Sequence, residues 1–160
     1  MIREATTADF NFIFLLYMHP STNPYLLYDP MDEISFDPIF NDLLDKKLLF
    51  VYENDGEAIG MCKLVPQPHR NAHTVYLGGV AVHPSYSGKG YGSKMMKDII
   101  EYVGANGYKR IELSTAIHNE AAIRLYEKCG FKREGILEKY TWFKNENIFW
   151  DEVMMAYLLV

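Results

Sequence analysis

The 160-residue sequence is poor in cysteine, in positive charge and in long apolar runs. Its two cysteines, Cys62 and Cys129, lie far apart and form no C-x-x-C pair, which excludes a disulfide framework and favours reduced thiols. With 16 Lys and Arg against 21 Asp and Glu, the net charge of -5 argues against nucleic acid as a partner, because that binding depends on cations that neutralise phosphates. The apolar run at residues 12–18 is too short to span a bilayer and follows acidic residues, so we expect no membrane segment, no secretion signal and a cytoplasmic protein.

The sequence also lacks linkers, repeats and low-complexity segments, and we predict one domain over residues 1–160. Hydrophobic residues make up 49% of the chain, enough to bury a core. Their periodicity predicts elements in the order β-α-α-β-β-β-α-β-α-β-β, which indicates an α/β domain with a mixed sheet and helices against it. We expect residues 20–37 to be irregular, because they contain several prolines, and Asp37-Pro38 to begin the second helix as N-cap and first helical residue.

Three closely spaced glycines, Gly88, Gly90 and Gly92, separate a predicted strand at residues 74–82 from a predicted helix at residues 90–105. Backbone without a Cβ can turn its N–H groups towards an anion, and the start of the helix adds unpaired N–H groups and a positive dipole. This arrangement predicts a phosphate site. Its spacing fits neither the dinucleotide fingerprint G-x-G-x-x-G with a later acidic residue nor the Walker loop.

Two blocks of the sequence resemble the GNAT superfamily of N-acetyltransferases. Residues 87–92, SGKGYG, are similar to the family's pyrophosphate loop, Arg/Gln-x-x-Gly-x-Gly/Ala, although Ser87 replaces the Arg or Gln. Residues 119–131, NEAAIRLYEKCGF, resemble its N-x-x-A-x-x-L-Y-x-x-x-G-F helix. The resemblance implies a single-domain, mostly antiparallel sheet in which the fourth and fifth strands, residues 74–82 and 110–113, splay apart.

The resemblance also implies an acyltransferase that moves an acetyl group from acetyl-CoA, as co-substrate, directly to a primary amine of a small molecule such as an amino acid. Two alternatives stay open: acetylation of a protein N-terminus or lysine, and a CoA-binding sensor without turnover. Many relatives dimerise, so a homodimer is possible, but no residue indicates it. His69 and His73 have metal-ligand spacing for a helix, but the flanking prolines oppose a helix there, and we expect no metal.

Cofactor contacts are carried over from the family motifs. Val80 and Val82 are expected to pair with the pantetheine amides through their main chain. Asn119 is expected to contact the cofactor arm, the alternative being a plain helix N-cap. Lys89 could compensate for Ser87, the alternative being a solvated loop lysine. The full expected set is Val80, Val82, Ser87, Gly88, Lys89, Gly90, Gly92, Ser93, Asn119 and Ala122.

Catalytic and acceptor residues follow from the same resemblance. Tyr126 is the candidate general acid for the departing thiolate, and Tyr76 is a candidate relay for the proton of the incoming amine. The alternative for both is an aromatic side chain packed in the core. Tyr25, Tyr28 and Trp142 are expected to line an acceptor site with nearby acidic residues that surround a cationic amine, the alternative being ordinary loop packing.

Overall fold

A computed structural model describes residues 1–159, and Val160, the last residue of the predicted domain, lies outside the described residues. The strands are β1 Ile2–Glu4, β2 Leu49–Asn54, β3 Glu57–Pro66, β4 Thr74–Val82, β5 Arg110–Ala116, β6 Lys132–Phe143 and β7 Ile148–Leu158. The α-helices are α1 Phe10–Met18, α2 Glu33–Asp45, α3 Tyr91–Ala105 and α4 Glu120–Lys128. This is the predicted order of elements, and the α/β class is confirmed.

The strands form a seven-stranded sheet in the order β1-β2-β3-β4-β5-β7-β6. Strand β4 pairs with β5 in parallel, whereas β1–β2, β2–β3, β5–β7 and β6–β7 are antiparallel. The sheet is therefore mixed and mostly antiparallel, as expected. The splaying of β4 from β5 stays a prediction.

The chain divides into two compact units. The first unit contains Met1–Val65 and Leu77–Tyr102, and the second contains Pro66–Tyr76 and the chain from Val103 onward. Strand β4 thus contributes Thr74 to Tyr76 to the second unit and its remaining residues to the first.

The core of the first unit is formed by α1 and α2 with one face of β2, β3 and β4. Aromatic rings dominate it: Phe36 is fully buried, and its ring centroid lies 5.6 Å from the rings of both Phe14 and Tyr17. The buried cluster comprises Ile13, Leu16, Tyr17, Phe36, Phe40, Leu43, Leu49, Val51, Met61 and Ala81.

The prediction for the start of α2 was wrong. The helix begins at Glu33, Asp32 is its N-cap and accepts a hydrogen bond from the Ser35 N–H at 2.8 Å, and Pro38 lies inside the helix. The earlier start places Phe36 on the same helical face as Phe40, so that both rings enter the core. Burial of a Phe side chain contributes about 3 kcal/mol, which offsets the backbone hydrogen bond that Pro38 cannot donate.

In the second unit, a short parallel pairing and two long antiparallel pairings form the sheet. Residues Thr74 to Tyr76 of β4 pair with Arg110 to Glu112 of β5, and β5 pairs with β7 from Arg110↔Leu158 to Ala116↔Glu152. This register brings polar side chains of β4, β5 and β7 to neighbouring positions. Among residues 1–159, no helix combines the length and apolar character needed to cross a membrane.

Candidate active site

The glycine loop follows β4 in the first unit and leads directly into α3. A 3-10 turn, Pro84–Tyr86, comes first, and the His83 ring accepts a hydrogen bond from the Ser85 N–H at 3.1 Å. Gly88 and Gly90 then adopt φ angles of +73° and +82°, and a Cβ built on either glycine would meet no atom within 4 Å. The backbone is therefore open at both positions and adopts a conformation that L side chains rarely reach. Such an opening suits an anion that approaches the main chain closely.

Cationic side chains accompany this loop. Lys89 is exposed, and its ammonium lies 6.0 Å from the ring centroid of Tyr86. The ammonium of Lys94, on the first turn of α3, lies 5.2 Å from the ring of Tyr91. Both ammonium groups pack on aromatic rings rather than on carboxylates, so their positive charge is available to a phosphate. The open backbone and these charges fit the diphosphate of a nucleotide cofactor.

The two cofactor-arm residues predicted on α4 lie at its N-terminus, in the second unit. Asn119 is the N-cap, and its Oδ1 accepts a hydrogen bond from the Ala122 N–H at 3.4 Å. Its Nδ2 donates to Thr115 Oγ1, also at 3.4 Å. The N-cap interpretation of Asn119 is therefore confirmed. The amide still has a second N–H, so capping leaves room for a cofactor contact.

Tyr126 lies in the last turn of α4 and is 8% exposed. Its ring centroid is 5.9 Å from that of Phe131, which packs in turn at 5.6 Å against Tyr157. Burial raises the pKa of Tyr126 well above its usual value, and the nearby Tyr76 and Cys129 raise it further. The phenol therefore stays protonated throughout the physiological pH range, the state that a general acid needs.

Tyr76 begins a chain of hydrogen bonds that ends at a carboxylate. Its hydroxyl lies 3.1 Å from Ser114 Oγ, and Ser114 donates to Glu152 Oε1 at 2.6 Å. The second carboxylate oxygen, Oε2, accepts from Thr141 Oγ1 at 2.7 Å. Since a serine hydroxyl has one proton and Ser114 gives it to Glu152, the bond between Ser114 and Tyr76 must be donated by Tyr76.

The direction of these bonds leaves the lone pairs of the Tyr76 oxygen free to accept a proton from another donor. When Tyr76 receives a proton, its own hydroxyl proton can move to Ser114, and the hydroxyl proton of Ser114 can move to Glu152. The pKa of Tyr76 is raised, chiefly by burial. The hydrogen bond with Ser114 lowers this pKa, whereas the nearby Tyr140 and Glu152 raise it. The hydrogen bonds thus allow a neutral Tyr76 to carry a proton towards the carboxylate of Glu152.

Sequence reasoning identified Tyr76 and Tyr126 but missed Ser114, Thr141 and Glu152. No spacing rule connects these three residues, because they lie on β5, β6 and β7 and meet only through the strand register. In the register of β5 and β7, Ser114 lies opposite Met154 and Ala116 lies opposite Glu152. Ser114 and Glu152 are therefore diagonal neighbours. The available signal was the pair of acidic residues Asp151 and Glu152 in a strand whose other residues are apolar.

The residues predicted to line the acceptor site belong to different units. In the first unit, Tyr25 is 48% exposed in a 3-10 turn, whereas Tyr28 is half-buried with its ring centroid 5.1 Å from that of Tyr17. In the second unit, Trp142 is 49% exposed and stacks on Phe149 within the β6–β7 hairpin. Their role with an acceptor stays a prediction.

The thiols do not have the properties of nucleophiles. Cys62 is fully buried, and burial raises the pKa of its thiol to about 12. The pKa of Cys129 is also raised by burial, although the charge of Lys128 opposes the shift. In the part of the chain that the structure describes, no group of three or more His, Cys, Asp or Glu side chains could hold a metal ion.

Comparison with known proteins identifies the class to which this fold and these residues belong. Residues 10–131 match the sequence model of the acetyltransferase (GNAT) family, which is more than half of the chain. The protein therefore belongs to the acetyltransferase (GNAT) family and is an acyltransferase.

Similar proteins include enzymes with two kinds of small amine substrate. The L-amino acid N-acetyltransferase AaaT of Escherichia coli (strain K12) is 29% identical over 98% of this chain and 96% of its own length. The spermidine N(1)-acetyltransferase of the same strain is 29% identical over 85% of this chain and 74% of its own length. The solved structure of spermidine N-acetyltransferase from Vibrio cholerae with CoA and spermine superposes with a TM-score of 0.85, covering 99% of this chain and 94% of that one at 21% identity. At this identity, the structural likeness shows the shared fold.

Proposed function

We propose that this protein transfers the acetyl group of acetyl-CoA directly to the primary amine of a small molecule. The proposal depends chiefly on one observation: the second unit contains both a protonated phenol, Tyr126, and a hydrogen-bonded path from Tyr76 to the carboxylate of Glu152. Acyl transfer to an amine needs an acid for the leaving group and a base for the amine. Membership of the GNAT family and the similarity to small-molecule N-acetyltransferases support the same reaction.

In this proposal, the glycine loop binds the diphosphate of the co-substrate, which supplies an acetyl group activated as a thioester. The open backbone at Gly88 and Gly90 fits that group, and Lys89 supplies a positive charge where Ser87 lacks the side-chain donor of the family's Arg or Gln. The N–H groups at the start of α3 add donors for a phosphate. The remaining proposed contacts are those of Val80, Val82, Gly92, Ser93, Asn119 and Ala122.

The amine must lose a proton as its nitrogen forms the new C–N bond. Tyr76 accepts that proton on its free lone pair while its own proton moves to Ser114 and that of Ser114 moves to Glu152. The C–S bond breaks with its electron pair on sulfur, and Tyr126 gives its hydroxyl proton to this thiolate. Exchange with solvent then returns the proton from Glu152 to Tyr126, so that the enzyme is regenerated.

Transfer is direct, without an acyl-enzyme. Neither thiol is suited to a covalent step, because burial holds the pKa of both Cys62 and Cys129 above its usual value. Positioning of the two substrates and the paired acid and base therefore supply the rate acceleration.

The activity is tested by measuring thiol release from acetyl-CoA with a panel of free amino acids, polyamines and short peptides. We expect release with small amines and none with peptides. Release with peptides alone would identify a protein acetyltransferase. No release with any amine despite tight CoA binding would contradict the proposed reaction.

Replacing Tyr126 by Phe should lower turnover by about tenfold or more, because the thiolate loses its proton donor while the ring keeps its packing. Binding of CoA, measured by calorimetry, should change little. Tyr157→Phe is the matched control, since it removes a hydroxyl from the other ring that packs on Phe131. Turnover equal to that of the unmodified protein would remove Tyr126 from the mechanism.

Replacing Glu152 by Gln should lower kcat by about 100-fold near neutral pH, because the relay then ends at a group that takes up no proton. The deficit in kcat should shrink as the pH rises towards about 10, because solvent then deprotonates the ammonium form of the substrate without the relay. Glu138→Gln, an exposed change on β6, serves as the control. A uniform deficit at every pH would show that Glu152 holds the structure rather than receiving the proton.

Replacing Gly90 by Asp should weaken CoA binding by at least about tenfold, because a carboxylate and a Cβ then face the phosphates. Gly107→Asp is a matched control: its φ of +86° and open surroundings impose the same backbone strain away from the loop. Calorimetric titration of CoA into both variants makes the comparison. Equal affinities in the two variants would refute the assignment of the loop.

A further inference from the structure

A largely buried lysine in the first unit has no role in the mechanism above. Lys63 lies on β3, pairs with Leu49 of β2 and is only 9% exposed. Because side chains alternate along a strand, it shares a face with Met61, which belongs to the core under α1 and α2. Burial lowers the pKa of Lys63, and no ion pair within residues 1–159 compensates for its charge.

One tyrosine ring lies against this ammonium, and a second tyrosine packs on the first. Lys63 Nζ lies 5.7 Å from the ring centroid of Tyr28, and the Tyr28 ring is 5.1 Å from that of Tyr17. The Tyr17 hydroxyl is buried and has no hydrogen-bond partner in the described part of the chain. The cluster of Lys63, Tyr17 and Tyr28 thus contains a largely buried lysine and a fully buried hydroxyl donor, and neither is paired with an acceptor among residues 1–159.

The cluster meets β4 at Gly79. A Cβ on this residue would lie 2.6 Å from the Tyr17 hydroxyl oxygen and 3.6 Å from Lys63 Cβ, and its φ of +57° also favours glycine. Gly79 directly precedes Val80, whose main chain we propose to hold the arm of the co-substrate, and follows Tyr76 by three positions on the same strand. The cluster therefore lies beside the part of β4 whose main chain we propose to hold the co-substrate.

Unpaired buried groups of this kind carry a cost that a ligand can remove. An ammonium taken out of water is destabilising unless an anion or hydrogen-bond acceptors replace its hydration, and contact with one tyrosine ring replaces only part of it. A carboxylate would pair with the ammonium and could also accept a hydrogen bond from a phenol. A polyamine carries a second positive charge, which the ammonium of Lys63 would repel.

We propose that Lys63 binds the carboxylate of the acceptor and that the acceptor is a free α-amino acid rather than a polyamine. This inference rests on the proposed acetyltransfer reaction and names its substrate class. It keeps Tyr28 in the acceptor site predicted from the sequence but reverses the charge. The protein supplies the cation there, and the substrate supplies the anion.

The test compares each amino acid with its own carboxamide, which keeps the amine and the side chain but has no negative charge. The unmodified protein should prefer the best amino acid over its amide, and over spermidine, by about tenfold or more in kcat/KM. Lys63→Met keeps the length of the side chain and removes the charge. It should lower kcat/KM for the amino acid by about ten- to 100-fold, mainly through KM, and change the value for the amide less than about threefold.

Lys46→Met, on the exposed end of α2, is the matched control and should leave both substrates unaffected. Equal losses with the amino acid and its amide in Lys63→Met would overturn the proposal, because a misfolded or displaced β3 would harm both. Equal or better use of spermidine by the unmodified protein would overturn it as well, while leaving acetyltransfer itself intact.

A binding measurement separates this proposal from the reaction on which it rests. N-acetylglycine, titrated calorimetrically in the presence of CoA, should bind the unmodified protein at least about tenfold more tightly than N-acetylglycinamide, and Lys63→Met should abolish the difference. That result without any turnover would retain the anion site and reject the reaction. No preference for the charged compound would reject the anion site, whatever the activity.

Discussion

The carboxylate of Glu152 accepts hydrogen bonds from Ser114 and Thr141, and the proton path proposed for the second unit depends on this arrangement. Because Ser114 commits its single proton to the carboxylate, it can only accept from Tyr76, so the whole chain of bonds has one direction. Reversal would require Glu152 to be protonated. In the proposed reaction, Tyr76 takes up a proton along this path, and Tyr126 keeps its own proton until the thiolate leaves.

The two ends of this acid and base pair differ because of their surroundings. Tyr126 packs among Phe131 and other apolar groups, and burial favours its neutral form. Glu152 lies half-buried on β7, and hydroxyl donors occupy both of its carboxylate oxygens. The proposed proton donor and the proposed proton acceptor therefore have different surroundings.

The first unit has the opposite kind of feature, polar groups that are left unpaired. Lys63 and Tyr17 lie where the aromatic core of α1 and α2 meets Gly79, and neither polar end has a partner within residues 1–159. Folding alone would be better served by an apolar side chain at position 63. Unpaired polar groups of this kind are expected at ligand-binding sites. Binding of the proposed substrate would pair them and so stabilise the first unit.

Local sequence by itself determined the order of helices and strands, the glycine loop with its open backbone, and the position of Tyr126 on α4. Each of these depends on periodicity, on backbone conformation or on residues within one helix. The start of α2 already escaped such reasoning, because burial of Phe36 outweighed the local signal of Asp37-Pro38. Only the tertiary structure decided which side chains meet: strand register placed Glu152 beside Ser114, and packing against β3 placed the Tyr28 ring beside Lys63. Contacts between residues far apart in the chain follow from how the elements pack, and no local pattern encodes that packing.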